Sequence, residues 1–270
     1  MQVCFYGVRG SVSVSGPRFL AVGGNTPCVA LEHEGHRLVL DGGTGLAALG
    51  AALGPGPQRL MLLFSHVHWD HVQGVPFFGP LFHPDSQIAV AGARRAGSGI
   101  REVLDRLMQP PGFPIRLDAL RARLQWAEVA GAFDYGPFHV QPLELAHPDG
   151  ALAFRVEAGG RAVVYATDHE PAGQLDPALL GLCEGADLLI HDAQYTPEEY
   201  AGQAGPSRRG WGHATVDEAT AAARAAEVGQ LALFHHDPGR SDEGVFALEA
   251  AARGRFARTI AAREGAQVAL

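Results

Sequence analysis

Three histidines and one aspartate lie within six consecutive residues, and these are residue types that bind metal ions. Residues His66–His71 read His-Val-His-Trp-Asp-His. Neutral imidazole and carboxylate suit borderline divalent metals such as Zn²⁺, Mn²⁺ or Fe²⁺. In an extended loop His66 and His68 can turn toward one side, while Asp70 and His71 curl round to a second point. Two pairs of ligands directed at two points predict a two-metal site.

This hexapeptide follows an apolar run, Leu60–Phe64, which predicts a buried strand of a layered α/β protein. Ser65 opens a loop at the carboxyl end of that strand, where such sheets commonly place ligand sites. Three more metal-binding side chains each come after another apolar strand: His147, Asp168 and His235. Those strands are predicted at Phe138–Leu143, Ala162–Ala166 and Leu231–Phe234. The pattern indicates ligands gathered at one edge, where strand ends meet.

The remaining chain predicts strands and helices in two successive blocks, which fits two sheets flanked by helices. Further strands are predicted at Val3–Tyr6, Cys28–Glu32, Arg37–Asp41, Gln87–Ala91, Ala151–Val156 and Ala186–His191. Helices are predicted at Gly45–Gly54, Ile100–Met108, Leu117–Leu124, Asp217–Glu227 and Asp242–Arg253, with Thr215 as the N-cap of the fourth. No repeat or linker divides the chain, so we expect residues 1–270 to form one domain.

Composition narrows the class of protein. No stretch approaches 18 consecutive apolar residues and no signal peptide is recognised at the start, so we expect a cytoplasmic protein without a membrane span. Cys4, Cys28 and Cys183 are far apart and odd in number, which predicts buried, reduced thiols. The net charge of −8 argues weakly against a large RNA or DNA surface, because such surfaces need clustered cations.

The spacing of these residues resembles that of the metallo-β-lactamase fold superfamily over nearly the full chain. The His-x-His-x-Asp-His signature of this superfamily is complete at His66–His71. Its later single His, bridging Asp and final His match His147, Asp168 and His235, with His236 as a competitor for the last position. The resemblance implies an α/β fold, namely a four-layer αββα sandwich of two mixed β-sheets flanked by helices.

The resemblance also implies two divalent metal ions, with Zn²⁺ favoured over Mn²⁺ or Fe²⁺. One ion would be held by His66, His68 and His147. The other would be held by Asp70, His71 and His235. The carboxylate of Asp168 would bridge the two ions.

Three features indicate the branch of the superfamily. Asp168 stands where one class of β-lactam hydrolase has Cys, and His68 stands where the flavodiiron oxidoreductases have Glu, which disfavours both classes. The segment Gly210–Thr215 resembles the Gly-x-Gly-His-[Ser/Ala/Thr] element of a short bacterial phosphodiesterase branch related to ribonuclease Z and cyclic phosphodiesterases. In that branch the His of this element, matched by His213, contacts the scissile phosphate as a proton donor or charge stabiliser.

Other segments resemble the same branch: Arg9–Ser11, Gly23–Cys28, Asp41–Gly45 and Ile190–Tyr195. We expect Asp41 to support a ligand imidazole, and His191 and Asp192 to lie just outside the ligand set.

Ribonuclease Z usually carries a long tRNA-gripping arm between the matches to His147 and Asp168, whereas only 20 residues lie between them here. The insert at 91–129 is expected to form a lid, one wall of a small pocket, or packing elsewhere.

The sequence therefore predicts a binuclear metal-dependent hydrolase that cleaves a small phosphodiester, such as a cyclic nucleotide, through a metal-bridging hydroxide. His213 and Asp70 are the predicted catalytic residues, and His213, Arg208 and Arg209 are the predicted substrate contacts. Alternatives are a carboxyl-ester, lactone or thioester hydrolase, a ribonuclease Z-like RNA endonuclease and, with less support, a non-enzymatic metal sensor. A small-molecule substrate and a homodimer are expected as partners, without a membrane or a large nucleic acid.

Overall fold

Seven strands form the first of two mixed sheets in a computed structural model that describes residues 1–270. These strands are β1 (Gln2–Gly7), β2 (Cys28–His33), β3 (His36–Leu40), β4 (Arg59–Phe64), β5 (Gln87–Gly92), β6 (Arg123–Glu128) and β14 (Gln267–Ala269). Their order across the sheet is β14-β1-β2-β3-β4-β5-β6. The strands from β3 to β6 run parallel, and the other pairs are antiparallel.

Another seven strands form the second sheet. They are β7 (Phe133–Tyr135), β8 (Phe138–Leu145), β9 (Ala151–Ala158), β10 (Arg161–Ala166), β11 (Leu188–Asp192), β12 (Gln230–Phe234) and β13 (Thr259–Ala261). Their order is β13-β12-β11-β10-β9-β8-β7. The strands from β10 to β13 run parallel, whereas β7, β8 and β9 pair antiparallel.

Helices cover the outer faces of both sheets. They are α1 (Gly45–Leu53), α2 (Trp69–Val72), α3 (Ile100–Leu107), α4 (Pro177–Cys183), α5 (Pro197–Ala201), α6 (Val216–Ala225) and α7 (Asp242–Arg253). The first sheet packs against α1 and α3, and the second against α4, α6 and α7. One apolar core lies between the sheets and one lies under the helices on each side. The expected four-layer αββα sandwich is confirmed.

The apolar sequence of β4 follows from this layering. Met61 and Leu63 pack into the core between the sheets, whereas Leu60, Leu62 and Phe64 pack under the helices of the first sheet. Successive side chains of a strand point to opposite faces, so a strand covered on both faces is apolar throughout. This burial fixes the end of β4 and therefore the start of the loop that carries the candidate ligands.

The helix expected at Leu117–Leu124 is wrong. Only Leu117–Ala119 forms a turn of 3₁₀ helix, and β6 begins at Arg123. β6 pairs in parallel with β5, and Leu124 is half-buried while its neighbours are exposed. This alternation has the period of two that is typical of a strand. Pairing with β5 therefore outweighs the helical tendency of the Leu- and Ala-rich sequence.

Most of the insert at 91–129 packs onto the first sheet rather than forming a lid. Ile100, Leu104 and Met108 are buried in the core under α3. Phe113 packs against the exposed Phe77, with ring centroids 5.7 Å apart. The sequence analysis did not predict the short helices α2, α4 and α5 or the three-residue strands β7, β13 and β14.

Two expectations from composition can also be compared with the structure. All three cysteines are buried and free, as expected. No helix is both long enough and apolar enough to cross a membrane.

Candidate metal centre

The loop after β4 directs its side chains to two points because a short helix begins inside it. His66 and His68 have left the strand, and α2 starts at the next residue, Trp69. The helical turn carries Asp70 and His71 to a different side of the loop from the extended residues before them. His66, Asp70 and His71 are buried, and His68 is partly open to solvent.

His66, His68 and His147 meet at the first point. Each offers one ring nitrogen, and these nitrogens lie within 4.8 Å of one another. Nδ1 of His68 is 3.1 Å from Nε2 of His147. Two nitrogen lone pairs at this distance repel, so a proton or a cation must lie between them. His147 follows β8 of the second sheet, and this group therefore joins the two sheets.

Asp70, His71 and His235 meet at the second point, again with ligand atoms within 4.8 Å of one another. Oδ2 of Asp70 is 3.2 Å from Nε2 of His235 and 3.4 Å from Nε2 of His71. His236, the competitor for this place, turns away from the group. Its Nε2 lies 2.9 Å from the carbonyl oxygen of Ala262.

Asp168 lies between the two groups and presents one carboxylate oxygen to each. Oδ2 is 3.5 Å from Nε2 of His66 and 3.7 Å from Nε2 of His147. Oδ1 is 3.3 Å from Nε2 of His71 and 3.2 Å from Nε2 of His235. Burial by itself would raise the pKa of Asp168, but the neighbouring His235 and His71 hold it well below its usual range.

The donor set fits two divalent metal ions. Nε2 of His66 and Nε2 of His71 are buried and have no hydrogen-bond partner. Oxygens of Asp168 lie 3.5 Å from Nε2 of His66 and 3.3 Å from Nε2 of His71 but form no hydrogen bond with either ring. A buried polar atom without a partner costs roughly 1–3 kcal/mol, so these nitrogens require another partner. Imidazole nitrogens and carboxylate oxygens gathered around a common point form a donor set that suits Zn²⁺ and related ions.

Protein oxygens orient the rings that come from the metal-binding loop. Nδ1 of His71 lies 2.8 Å from Oδ2 of Asp41, which confirms the expected support by this aspartate. Nδ1 of His66 lies 3.1 Å from Oγ of Ser65, and that hydroxyl donates to the same Asp41 oxygen. An oxygen at Nδ1 fixes the tautomer and turns Nε2 toward the cluster.

The two rings from the second sheet have equivalent support. Nδ1 of His147 lies 2.8 Å from the carbonyl oxygen of Gly212. Nδ1 of His235 lies 3.2 Å from Oε1 of Gln194. Four of the five clustered imidazoles thus have Nδ1 held by the protein and Nε2 directed at the centre, which is the usual arrangement of metal-binding histidines.

His213 stands beside the cluster, in the loop that ends at the N-cap of α6. Thr215 caps this helix as expected, since its hydroxyl accepts from the backbone N–H of Glu218. Nδ1 of His213 is 2.8 Å from Oδ2 of Asp192, and its ring stacks on His235 at 4.8 Å. Burial lowers the pKa of His213, but the Asp192 carboxylate outweighs burial and raises it to about 9.

The two arginines expected to contact substrate lie on different aromatic rings. The guanidinium of Arg208 lies 4.3 Å from the ring centre of Trp211 and 5.8 Å from that of Tyr195. The guanidinium of Arg209 lies 5.1 Å from the ring centre of Tyr200. The ring of Tyr195 in turn packs edge-on against His213, with centroids 6.0 Å apart. Arg208 is therefore connected to His213 through a single aromatic ring, and Arg209 points to a different residue.

Sequence reasoning did not identify Ser65, Gln194 or Glu170 as supports of the site. Glu170 accepts hydrogen bonds from the loop that carries His213. Polar residues are common in loops of this kind, so residue type and spacing carried no signal for these three. Asp192 was expected near the ligands, and its contact with His213 agrees with that expectation.

Comparisons with known proteins match this chain to one family. The sequence model described as "Beta-lactamase superfamily domain" matches residues 36–236. Ribonuclease Z of Haloferax volcanii is 27% identical, over 80% of this chain and 83% of that protein. The metallo-beta-lactamase fold protein YhfI from Bacillus subtilis has a TM-score of 0.74 at 19% identity, covering 99% of each chain. A diphosphatase from the PhnP family has a TM-score of 0.73 at 16% identity, covering 100% of this chain and 97% of that one.

Replacement of Asp168 should prevent the protein from holding two ions. We expect Asp168→Ala to bind at most one Zn²⁺ per chain, because both groups lose an oxygen that lies between them. The measurement is metal per chain after reconstitution and desalting. Asp149→Ala is the control, since the Asp149 side chain is 90% exposed and only approaches His68 at 3.7 Å. Two ions in Asp168→Ala would exclude a bridging role.

Two neighbouring glycines allow a matched test of the support for His147. A Cβ at Gly212 would lie 2.2 Å from Nδ1 of His147, whereas a Cβ at Gly210 meets nothing within 4 Å. Their φ angles are similar, 87° and 80°, so backbone strain is comparable. We expect Gly212→Ala to weaken Zn²⁺ binding by about 10–100-fold in a chelator competition. Gly210→Ala should keep the wild-type affinity, and equal affinities would contradict this account.

Proposed function

The chain belongs to the beta-lactamase superfamily and is a metal-dependent hydrolase, and we propose that it cleaves a small phosphodiester. The position of His213 carries this proposal. Its Nδ1 is held by Asp192, and it lies outside the two three-residue groups, although it forms a further group of possible ligands with Asp168, Asp192 and His235. A polar group placed next to a metal centre in this way can contact the charge that develops on a phosphoryl oxygen.

We assign His66, His68 and His147 to one ion, Asp70, His71 and His235 to the other, and Asp168 to both. Five imidazoles and two carboxylates favour Zn²⁺, with Mn²⁺ or Fe²⁺ as alternatives. When bound, the two ions would supply a nucleophile at neutral pH, because such ions lower the pKa of water to roughly 7.

The residues of the chain then have distinct tasks. Asp192 accepts from Nδ1 of His213, which keeps the ring in one orientation and leaves Nε2 for the substrate. In this position His213 stabilises the negative charge on the phosphoryl group and donates a proton to the leaving oxygen. Asp70 keeps its charge, since burial raises its pKa but His71 and His235 lower it far more.

The surroundings of His213 favour a nucleotide as the substrate. Trp211 is 51% exposed and carries the guanidinium of Arg208 on its ring. The Arg208 side chain forms no ion pair, so its charge is available to an anion. A nucleobase can stack on an exposed indole, and a guanidinium stacks on such rings and binds phosphate oxygens. These contacts support a cyclic nucleotide or a related small nucleotide diester.

The first experiment measures metal content and activity on one preparation. We expect the untagged protein to hold two ions per chain and to hydrolyse bis-p-nitrophenyl phosphate in a reaction that a chelator abolishes and Zn²⁺ or Mn²⁺ restores. A cyclic nucleotide should then give a lower KM than the cyclic phosphate of glycerol. Two bound ions without phosphodiester hydrolysis would count against the proposal and favour a lactone, carboxyl ester or thioester.

The role of His213 has its own test. We expect His213→Ala to keep two ions per chain and to lose turnover by about 100–1,000-fold, the usual effect of removing one donor that stabilises a transition state. His139→Ala is the control, because that ring is exposed and its hydrogen bond is to Asp134, away from the clustered ligands. Loss of an ion in His213→Ala would instead identify His213 as a ligand.

A second candidate is an RNA endonuclease, and its support is the similarity to the ribonuclease Z of Haloferax volcanii. The stretch between His147 and Asp168 opposes it, since β9 and β10 form a hairpin there with a two-residue turn. No room is left in this stretch for a tRNA-gripping arm. Cleavage of a precursor tRNA at a defined 3′ position would favour the endonuclease over the small phosphodiester.

A further inference from the structure

The carboxylate of Glu170 accepts three hydrogen bonds, two of them from backbone amides of the segment that leads to His213. Oε1 accepts from the backbone N–H of Gly210 and from the hydroxyl of Tyr200, each at 2.7 Å. Oε2 accepts from the backbone N–H of Gly212, also at 2.7 Å. Hydrogen bonds to an ionised carboxylate are roughly twice as strong as those between neutral groups. We call the segment Gly210–His213 the His213 loop.

Glu170 also connects this loop to the ligand-bearing strand ends. It follows Asp168 by two residues, and its backbone N–H donates to the carbonyl oxygen of Ala146 at 2.8 Å. Ala146 directly precedes His147, and Nδ1 of His147 lies 2.8 Å from the carbonyl oxygen of Gly212. Glu170 therefore holds the His213 loop at the strand ends that present Asp168 and His147.

The His213 loop has other contacts, at the carbonyl oxygen of Gly212, the amide of Trp211 and the ring of His213, but the amides of Gly210 and Gly212 donate to Glu170. Gly210 and Trp211 are exposed, and Gly210 and Gly212 have positive φ angles of 80° and 87°. Glycines of this kind leave the unfolded loop many alternative conformations. The amides of Gly210 and Gly212 both end on Glu170, so its carboxylate selects one of these conformations. His213 directly follows Gly212, whose amide is one of these two.

We propose that Glu170 is a positioning residue, which fixes the His213 loop so that His213 stands at the reacting phosphate. The inference rests on the proposed function only in the task given to His213. That Glu170 holds the loop is a separate statement, and it can be measured without substrate.

Glu170→Gln removes the charge with little change in shape. The amide keeps one acceptor oxygen and turns an NH₂ group toward backbone N–H donors, so at least one loop hydrogen bond is lost. We expect the amides of the His213 loop to exchange hydrogen at least about tenfold faster, while two ions per chain are retained. Turnover of the phosphodiester should fall by about tenfold or more, with KM changed less than threefold. Glu184→Gln is the control, because the exposed Glu184 carboxylate makes no hydrogen bond or ion pair.

A double mutant separates positioning from general stability. If Glu170 acts through His213, Glu170→Gln should cause no further loss of turnover in the His213→Ala background, whereas independent effects would multiply. Tyr200→Phe removes one of the three donors and should give a smaller change in the same direction, which provides a second variant should Glu170→Gln fold poorly.

Three results would overturn the proposal: unchanged amide exchange in Glu170→Gln, loss of a metal ion, or a full additional loss in the His213→Ala background. A wild-type protein that hydrolyses no phosphodiester would instead count against the proposed function. Amide exchange in Glu170→Gln would still decide whether this carboxylate holds the loop.

Discussion

Five imidazoles and two carboxylates share one largely buried space, and the rest of the site depends on how their charges are balanced. Asp168 directs one oxygen at each group of histidines, so the two groups share its negative charge. Asp70 and Asp168 are two buried negative charges close together, and in the metal-free protein they are balanced by His71, whose pKa these carboxylates raise against the effect of burial. The unpartnered Nε2 atoms of His66 and His71 lie within the same space. Two divalent ions satisfy both requirements at once, since they balance the carboxylates and pair the nitrogens.

This balance requires that side chains far apart in the sequence arrive at one rim. The first sheet supplies the metal-binding loop from the end of β4, and the second supplies His147, Asp168 and His235 from the ends of β8, β10 and β12. β10 and β12 run in the same direction, and β8 shares it because β9 is antiparallel to both of its neighbours. The core between the sheets fixes their spacing. Binding of the ions and packing of the two sheets are therefore coupled, as in other sites where metal binding contributes to folding.

Much of this could be predicted from the sequence, because ligand types and buried strands leave local patterns. The apolar run before His66 predicts β4, and the first strong ligand after each later strand proved to lie in the cluster. The helix expected at Leu117–Leu124 was wrong because pairing with β5, a long-range interaction, decides the conformation there. The contacts of Glu170 and Gln194 could not be predicted for a related reason. Their partners Tyr200, Gly210, Gly212 and His235 lie 30 to 42 residues away, and nothing local to either residue indicates them.

The charge of the chain bears on the size of its substrate. Electrostatic interactions between exposed charges are screened beyond about 8–10 Å at physiological ionic strength. A long polyanion contacts a protein surface over several times this screening length. The net charge of −8 therefore works against its binding. A small phosphodiester bound as proposed would lie within one screening length of His213, where the local charges decide. There His213 has a pKa raised to about 9, and the Tyr195 ring that it packs against lies next to the unpaired guanidinium of Arg208. The balance of local and net charge therefore supports the proposed small phosphodiester over a long polyanion.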